Sequence, residues 1–332
     1  MIRYGILGFG HHARKRLTPA FAATKDSQLV GLWRRDAQKA AESAAEFGLA
    51  AFPSAEQLCV SPVIDAVLVT SPDSLHLEHV LLALSHGKHV LCEKPLAMSE
   101  AEAQTMLVAA RSAGVELGVA QNMRYNRSLA CIRQWITEGL IGTPQMLNIT
   151  FCHDVARSPR QWISNPELAC GGPVADIGIH ALDALRYLLR SEVAEISMLA
   201  RKDALSPAIE SHAALSLTLD CGAMASILLT TQARYRTSVG VTGSTGSILC
   251  ENALTVDYPV DVVLRRSVDG IERSESVSNQ DAYTQMLDAF SGAIEGRCYY
   301  LAPGSDGLKN QRLLDAAYAS WRTGQTIPVE CK

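Results

Sequence analysis

The feature that most constrains this chain is an alternation confined to its first 120 residues. Short apolar runs at 2–7, 27–33, 65–69, 89–92 and 117–120 read as strands. Ala-rich stretches of helical spacing lie between them, at 13–23, 37–47, 75–85 and 100–113. Polar residues open several of these helices, Asp36 and Ser99 among them, and Gly48, Gly87 and Gly114 stand where helices stop. Strand–helix alternation of this kind implies parallel strands joined by right-handed crossovers. Continuously apolar strands such as 66–69 suit a sheet covered on both faces.

From Gln145 onwards the period changes. Alternating runs at 145–152, 193–201, 213–219, 225–231, 237–242, 247–251 and 260–268 read as strands, some separated by turn signals such as Asp269-Gly270. Helical stretches interrupt them at 175–189 and 282–295, and a last one follows at 306–323. The expected fold class is α/β. An N-terminal domain with a parallel sheet covered by helices, 1–122, precedes an α+β domain, 123–332, with a mostly antiparallel sheet.

Composition sets the outer bounds. A chain of 332 residues has room for about two domains at roughly 150 residues each. Hydrophobic residues at 48 % and charged residues at 19 % suffice for a sizeable core. Thirty Lys and Arg against thirty-four Asp and Glu leave −4, with no footprint for nucleic acid and no polybasic patch for a membrane. No run of about 20 apolar residues suggests a membrane span, and the first residues lead straight into a strand rather than a signal peptide. Nine cysteines, odd in number and without a C-x-x-C pair, read as reduced thiols of a cytoplasmic protein. No clustered Cys/His spacing suggests a metal site.

The first chemistry-bearing stretch is Gly8-Phe9-Gly10-His11-His12-Ala13, at a strand-to-helix turn. Gly8 permits the tight turn, Gly10 removes the Cβ that would block a pyrophosphate, and Ala13 permits close helix–strand packing. The helix N-terminus that follows favours phosphate. His11 and His12 are read either as phosphate contacts or as exposed loop residues. Cofactor choice is read at the end of the second strand, in Trp33-Arg34-Arg35-Asp36. Two guanidiniums suit a 2′-phosphate, which favours NADP. Asp36 looks like a helix N-cap, and through it NAD stays possible.

At the carboxyl ends of the next strands, where ligands of such sheets bind, stand Ser71 and Pro72, read as lining the ribose or nicotinamide. His76 is read either at the cofactor or as a surface or capping residue. Cys92-Glu93-Lys94-Pro95 follows the fourth strand, with Lys94 suited to acid–base work. Glu93 either orients Lys94 or holds the nicotinamide ribose. Further on, Asp176, His180 and Asp183 follow Gly171-Gly172-Pro173 at spacings that share one helix face. A carboxylate near an imidazole suits proton transfer near neutral pH. Asp183 is alternatively a cap or an ion-pair partner for Arg186 or Arg124.

Taken together, Gly8–Ala13, Glu93-Lys94-Pro95 and the stretch from Gly171 to Asp183 resemble the three main motifs of the Gfo/Idh/MocA family, the glucose-fructose oxidoreductase and inositol dehydrogenase type. The resemblance spans nearly the whole chain and implies an N-terminal Rossmann dinucleotide-binding domain, 1–122, followed by a domain with a large, mostly antiparallel open sheet, 123–332. It implies an oxidoreductase moving hydride between a nicotinamide cofactor and a hydroxyl or carbonyl carbon of a sugar, polyol or related compound. It further implies that Lys94 bonds the reacting oxygen and the nicotinamide ribose, that His180 is the general acid or base, and that Asp176 binds a substrate hydroxyl or supports His180. Asn122 is then expected at the cofactor, and Arg124 and Tyr125 at the substrate. Trp162 either stacks on a sugar ring or packs. The open face of the second sheet is expected to form a homodimer or homotetramer. Three alternatives stay open: a hydrolase or lyase of the same family using transient oxidation, a dinucleotide-binding regulator without catalysis, and a structural or interaction protein with the second sheet as its association surface.

Overall fold

The computed structural model describes residues 1–203, 207–255 and 260–330, apart from the side chains at 157 and 161. The chain divides into two compact units. The first comprises Met1–Gln121, Glu167–Cys170 and Tyr283–Gln311, and the second Asn122–Pro166, Gly171–Ala282 and Arg312–Lys332.

In the first unit, strands β1 (Ile2–Leu7), β2 (Ser27–Trp33), β3 (Ala50–Ala51), β4 (Ala66–Val69), β5 (His89–Cys92) and β6 (Leu117–Val119) form one parallel sheet, in the order β3-β2-β1-β4-β5-β6. The order reverses beside β1, which puts a crevice for ligands at the carboxyl ends of β1 and β4. Helices α1 (Thr18–Ala23), α2 (Ala37–Phe47), α3 (Ala55–Val60), α4 (His76–Ser85) and α5 (Glu100–Ala113) connect the strands. Capping agrees with the sequence: Asp36 Oδ1 accepts the Lys39 N–H at 3.0 Å, Ser99 Oγ accepts that of Glu102 at 3.3 Å, and Gly48 and Gly114 close their helices in the left-handed region. β3 and α3 were not expected, because a two-residue strand and a six-residue helix are too short to display a period.

The single cut near residue 122 needs one correction, since residues 167–170 and 283–311 belong with the first unit. The reason is packing and buried hydrogen bonds. Ser291 Oγ lies 2.7 Å from both the Tyr4 and the Ser27 hydroxyls, and the Tyr300 hydroxyl donates to Val119 O at 2.8 Å. Phe290 and Tyr300 also press on Gly118, where a Cβ would come within 2.8 Å of either ring.

The second unit is built on nine strands: β7 (Pro144–Asp154), β8 (Val193–Arg201), β9 (His212–Leu219), β10 (Met224–Thr230), β11 (Gln232–Gly243), β12 (Gly246–Glu251), β13 (Asp261–Val268), β14 (Ile271–Ser278) and β15 (Ile327–Pro328). Their order is β14-β13-β12-β11-β7-β10-β9-β8-β15, antiparallel except for the pair β10–β7. Helices α6 (Arg127–Thr137) and α7 (Ile179–Leu189) belong to this unit, and α7 continues a turn of π-type spacing, Val174–Gly178. Leu147, Ile149 and Phe151 of β7 alternate with exposed Met146 and Asn148, so the sheet has one buried and one open face. Met146, Leu199, Met224, Leu228, Leu249 and Val263 are exposed apolar residues of these strands.

β14 was not expected, because Ile271–Ser278 is polar and exposed almost throughout and carries no apolar alternation. It is set by its hairpin: Asp269 and Gly270, at φ 50° and 79°, turn the chain between paired Val268 and Ile271. α6 was not expected either, although Leu129, Ile132 and Trp135 repeat at helical spacing and are buried.

The eight described cysteines are free thiols, and burial pushes Cys59 and Cys250 up to about 12. Cys331 lies outside the described residues. Among the described residues no helix is long and apolar enough to cross a membrane.

Candidate active site

The dinucleotide cradle is built from backbone. Gly8 takes φ +95°, and a Cβ there would lie 2.5 Å from Ser71 N, so this turn requires glycine. A Cβ on Gly10 would meet nothing nearer than Gly8 O at 3.8 Å, which leaves open space beside the backbone. Arg14 N–H bonds Gly10 O at 3.1 Å and makes Gly10 the head of the following helix. Thr70 Oγ1 donates to Gly8 O at 2.8 Å and fixes the turn from β4. These features fit a pyrophosphate. Phe9 contributes backbone only: its ring is fully buried, 5.8 Å from that of Phe47.

At the end of β2, Arg34 is half-buried and Arg35 exposed, and among the described residues neither guanidinium forms an ion pair within 4 Å. Asp36 is engaged as the α2 cap, and the Lys39 N–H holds its carboxyl below the usual range. The acid nearest the expected ribose position thus serves the helix.

Lys94 sits in a braced turn after β5. Glu93 N–H bonds Val69 O at 2.9 Å, and the Lys94 N–H donates to Glu93 Oε2 at 3.2 Å. Glu93 Oε1 lies 2.8 Å from His12 Nε2, and the Glu93 side chain is only 14 % exposed. Burial alone would raise its pKa, but charge and hydrogen bonding from His12, then from Lys94, hold it at about 2. Of the two histidines of the glycine motif, His11 is exposed, while His12 gives Nε2 to Glu93 and meets the Tyr283 ring edge-on at 5.7 Å.

His76 is not at the surface, where one of its two readings put it. Its ring is buried, with Nε2 3.0 Å from Ser71 O and Nδ1 2.9 Å from Pro95 O. Both nitrogens stand against carbonyls, to one of which a neutral ring donates, so His76 packs between the turn after β4 and the turn at Lys94. Ser71 is buried and bonds His79 Nδ1 through its hydroxyl at 2.9 Å, while Pro72 is half-buried. His79 was missed by sequence reasoning; burial lowers its pKa.

The second unit holds Asp176 and His180 at the head of one helix. Asp176 accepts Arg160 at both oxygens, 3.0 and 3.1 Å, and His153 Nε2 lies 3.2 Å from its Oδ2. His180 is buried, with its ring stacked on that of Phe151 at 6.4 Å between centroids. Arg124 and Asp183, both buried, form the bidentate pair that the sequence offered as one alternative, at 2.8 and 2.6 Å. Tyr125 is buried and Trp162 half-buried. Asn122 is buried, and its Nδ2 has no hydrogen-bond partner among the described residues. An orphaned buried donor on a residue expected at the cofactor fits a bound group that accepts there.

His153, Arg160 and Glu210 were not legible. His153 continues the β7 strand beyond its apolar run, and Arg160 and Glu210 lie in segments without periodicity. Glu210 is buried. Its Oε1 accepts the Tyr318 hydroxyl at 2.7 Å, Gly172 N–H at 3.0 Å and Val174 N–H at 3.3 Å. Burial raises its pKa, against those neutral donors.

A six-stranded parallel sheet with this glycine turn defines a dinucleotide-binding fold. Comparison with known proteins agrees. Residues 2–121 match the model of an oxidoreductase family with an NAD-binding Rossmann fold, and residues 129–249 match the GFO/IDH/MocA C-terminal domain. The chain is 32 % identical over 334 residues to a 1,5-anhydro-D-fructose reductase from Ensifer adhaerens, covering 99 % of each. It is 27 % identical to inositol 2-dehydrogenase 3 from Saccharopolyspora erythraea, covering 100 % of this chain and 96 % of that one. The structure of an aldose-aldose oxidoreductase from Caulobacter crescentus, complexed with glycerol, superposes with a TM-score of 0.91 at 26 % identity, over 98 % of this chain and 99 % of that one. The protein belongs to the Gfo/Idh/MocA oxidoreductase family and is an NAD(P)-dependent dehydrogenase or reductase.

Proposed function

We propose that the protein moves hydride reversibly between NADP(H) and a hydroxyl or carbonyl carbon of a sugar or polyol. When bound, the nicotinamide supplies or takes up the hydride. The backbone at Gly8 and Gly10 receives the pyrophosphate, and Ser71, Pro72, Glu93 and Asn122 hold the nucleoside that carries the nicotinamide. Arg34 and Arg35 receive the 2′-phosphate. The observation that carries this preference is the state of Asp36, which caps α2 while the two guanidiniums beside it hold no ion pair among the described residues.

Lys94 bonds the reacting oxygen and stabilises negative charge on it, which is largest in the transition state. His180 gives a proton to that oxygen in reduction and removes one in oxidation. Asp176, already held at both oxygens by Arg160, accepts from a substrate hydroxyl. Arg124, Tyr125 and Trp162 shape the substrate's surroundings, Arg124 through its pair with Asp183. Exposed Met146, Met224 and Leu228 on the open sheet face support self-association as a homodimer or homotetramer. The free thiols support residence in a reducing compartment, the cytoplasm.

The test follows NADPH absorbance with 1,5-anhydro-D-fructose, the substrate that names one relative, and NADP reduction with inositols and aldoses. Turnover with NADPH at least about tenfold more efficient than with NADH is the expected result. Product formation with no net change in NADPH would instead favour transient oxidation and a lyase or hydrolase. Failure to bind either dinucleotide would remove the reading altogether.

A further inference from the structure

The Gly171-Gly172 pair of the second motif has no obvious conformational need, because neither residue lies among the positive-φ positions. Its cause is crowding. A Cβ on Gly171 would collide with the Tyr318 hydroxyl, and one on Gly172 with the backbone oxygen and carboxyl of Glu210. The two glycines let Glu210 and Tyr318 come against the chain.

What Glu210 does there is specific. Its Oε1 collects two N–H groups from the first turn of the helix that bears Asp176 and His180, together with the Tyr318 hydroxyl. Gly172 is therefore held through both its backbone groups: its N–H by Glu210, and its carbonyl by Asp176 N–H at 2.9 Å. His180 stands one turn beyond Asp176 on the same helical rail. Glu210 itself is anchored in the sheet. Its neighbour Ser211 bonds Arg201 O through N–H at 2.9 Å and accepts Thr231 N–H at 3.1 Å. The underside of the helix is fixed separately, where a Cβ on Gly178 would lie 2.6 Å from Leu229 Cδ1 of β10.

We infer that Glu210 is a positioning residue for the reaction: it sets the axial place and rotation of the Asp176–His180 helix from the rigid sheet, through Gly172 and Val174. A negative group at a helix N-terminus adds favourable electrostatics to this clamp. The inference rests on the reading of Asp176 and His180 proposed above.

The test uses the full chain loaded with NADP. The His180 ring is followed in a proton–nitrogen correlation spectrum, assigned by the signals lost in His180→Gln. Glu210→Ala is expected to move or broaden those signals, and Glu210→Gln, which keeps an acceptor oxygen, to restore them. With 1,5-anhydro-D-fructose and NADPH, Glu210→Ala lowers kcat about 10- to 100-fold while KM and NADP Kd change less than about threefold. Tyr318→Phe, which removes one donor, gives the same signature in smaller measure, and decides the matter if Glu210→Ala does not fold. A folded Glu210→Ala with unmoved His180 signals overturns the inference. So does a loss confined to the folded fraction, with unchanged kcat per folded molecule. If His180→Gln itself retains kcat, the functional reading fails, whereas an inactive His180→Gln beside an unaffected Glu210→Ala sinks the clamp alone.

Discussion

Glu93 is a largely covered carboxylate and Glu210 a fully buried one, and each holds a turn that carries candidate chemistry. Glu93 faces His12 and the backbone of Lys94, and its pKa falls to about 2. Glu210 faces two amides and a phenol, and its pKa rises. Burial pushes both the same way; cationic partners overcome it and neutral donors do not. The Lys94 turn is thus held by charge, and the head of the His180 helix by hydrogen bonds from neutral groups. The first arrangement suits a region that must keep a fixed negative charge beside a lysine. The second suits a clamp whose task is position.

The largest expected effect separates what each region does. Lys94→Ala should lower kcat by roughly 10²–10⁴ while NADP Kd stays within about threefold. Single-turnover rates and fluorescence titration of NADP measure the two quantities. Near-normal turnover would remove Lys94 from the chemistry and leave the charged turn a purely structural device. Next comes the cofactor end of the same unit. Arg34→Ala with Arg35→Ala should raise NADP Kd about 100-fold and NADH Kd less than threefold, since charge-assisted phosphate contacts contribute about 1.5–3 kcal/mol each. An equal loss for both dinucleotides would mean that the arginines do not read the 2′-phosphate. Selectivity for NAD in the unaltered protein would mean the same.

The two regions also differ in how far their residues announce themselves. Gly8, Gly10, Lys94 and Pro95 are legible because a parallel sheet puts its ligand turns at strand ends, and short apolar runs mark those ends. Asp36 could be read as a cap from its place before an Ala-rich helix. Asp176 and His180 are legible by helical spacing behind a glycine pair. Their supports are not: Arg160, His153, Glu210 and Tyr318 come from a loop, a strand end, a strand approach and a late helix. The sheet register that gathers them is a tertiary property. The same holds for His12, read either as a phosphate contact or as an exposed loop residue, whose ring meets Glu93. Local period and turn chemistry are written along the chain, whereas side-chain partners 81 or 108 positions apart are not.

The open sheet face gives an effect of intermediate size. Leu228→Lys paired with Met224→Lys should shift the protein to a smaller species in light scattering while hydride transfer per chain is retained. An unchanged mass would show that the exposed apolar residues of β10 do not form the interface.

The smallest effects test the opening contrast directly, through stability against pH. A carboxyl held below its unfolded pKa of 4.5 stabilises the fold above that value and loses its contribution as pH falls to about 2. The advantage of the wild type over Glu93→Gln should therefore be full at pH 5–6 and shrink by roughly 3 kcal/mol at most on approaching pH 2. Glu210 must behave with the opposite sign. Its raised pKa means that the folded state binds the proton more tightly, so its contribution is full below 4.5 and declines as pH rises through the folded value. The wild type should thus gain on Glu210→Gln as pH falls toward 4.5, and lose ground to Glu93→Gln as pH falls below that value. Urea melts of the three proteins at matched pH give the two difference curves. Parallel slopes would show that the partners around the two carboxylates do not differ in charge, and that a common burial effect governs both.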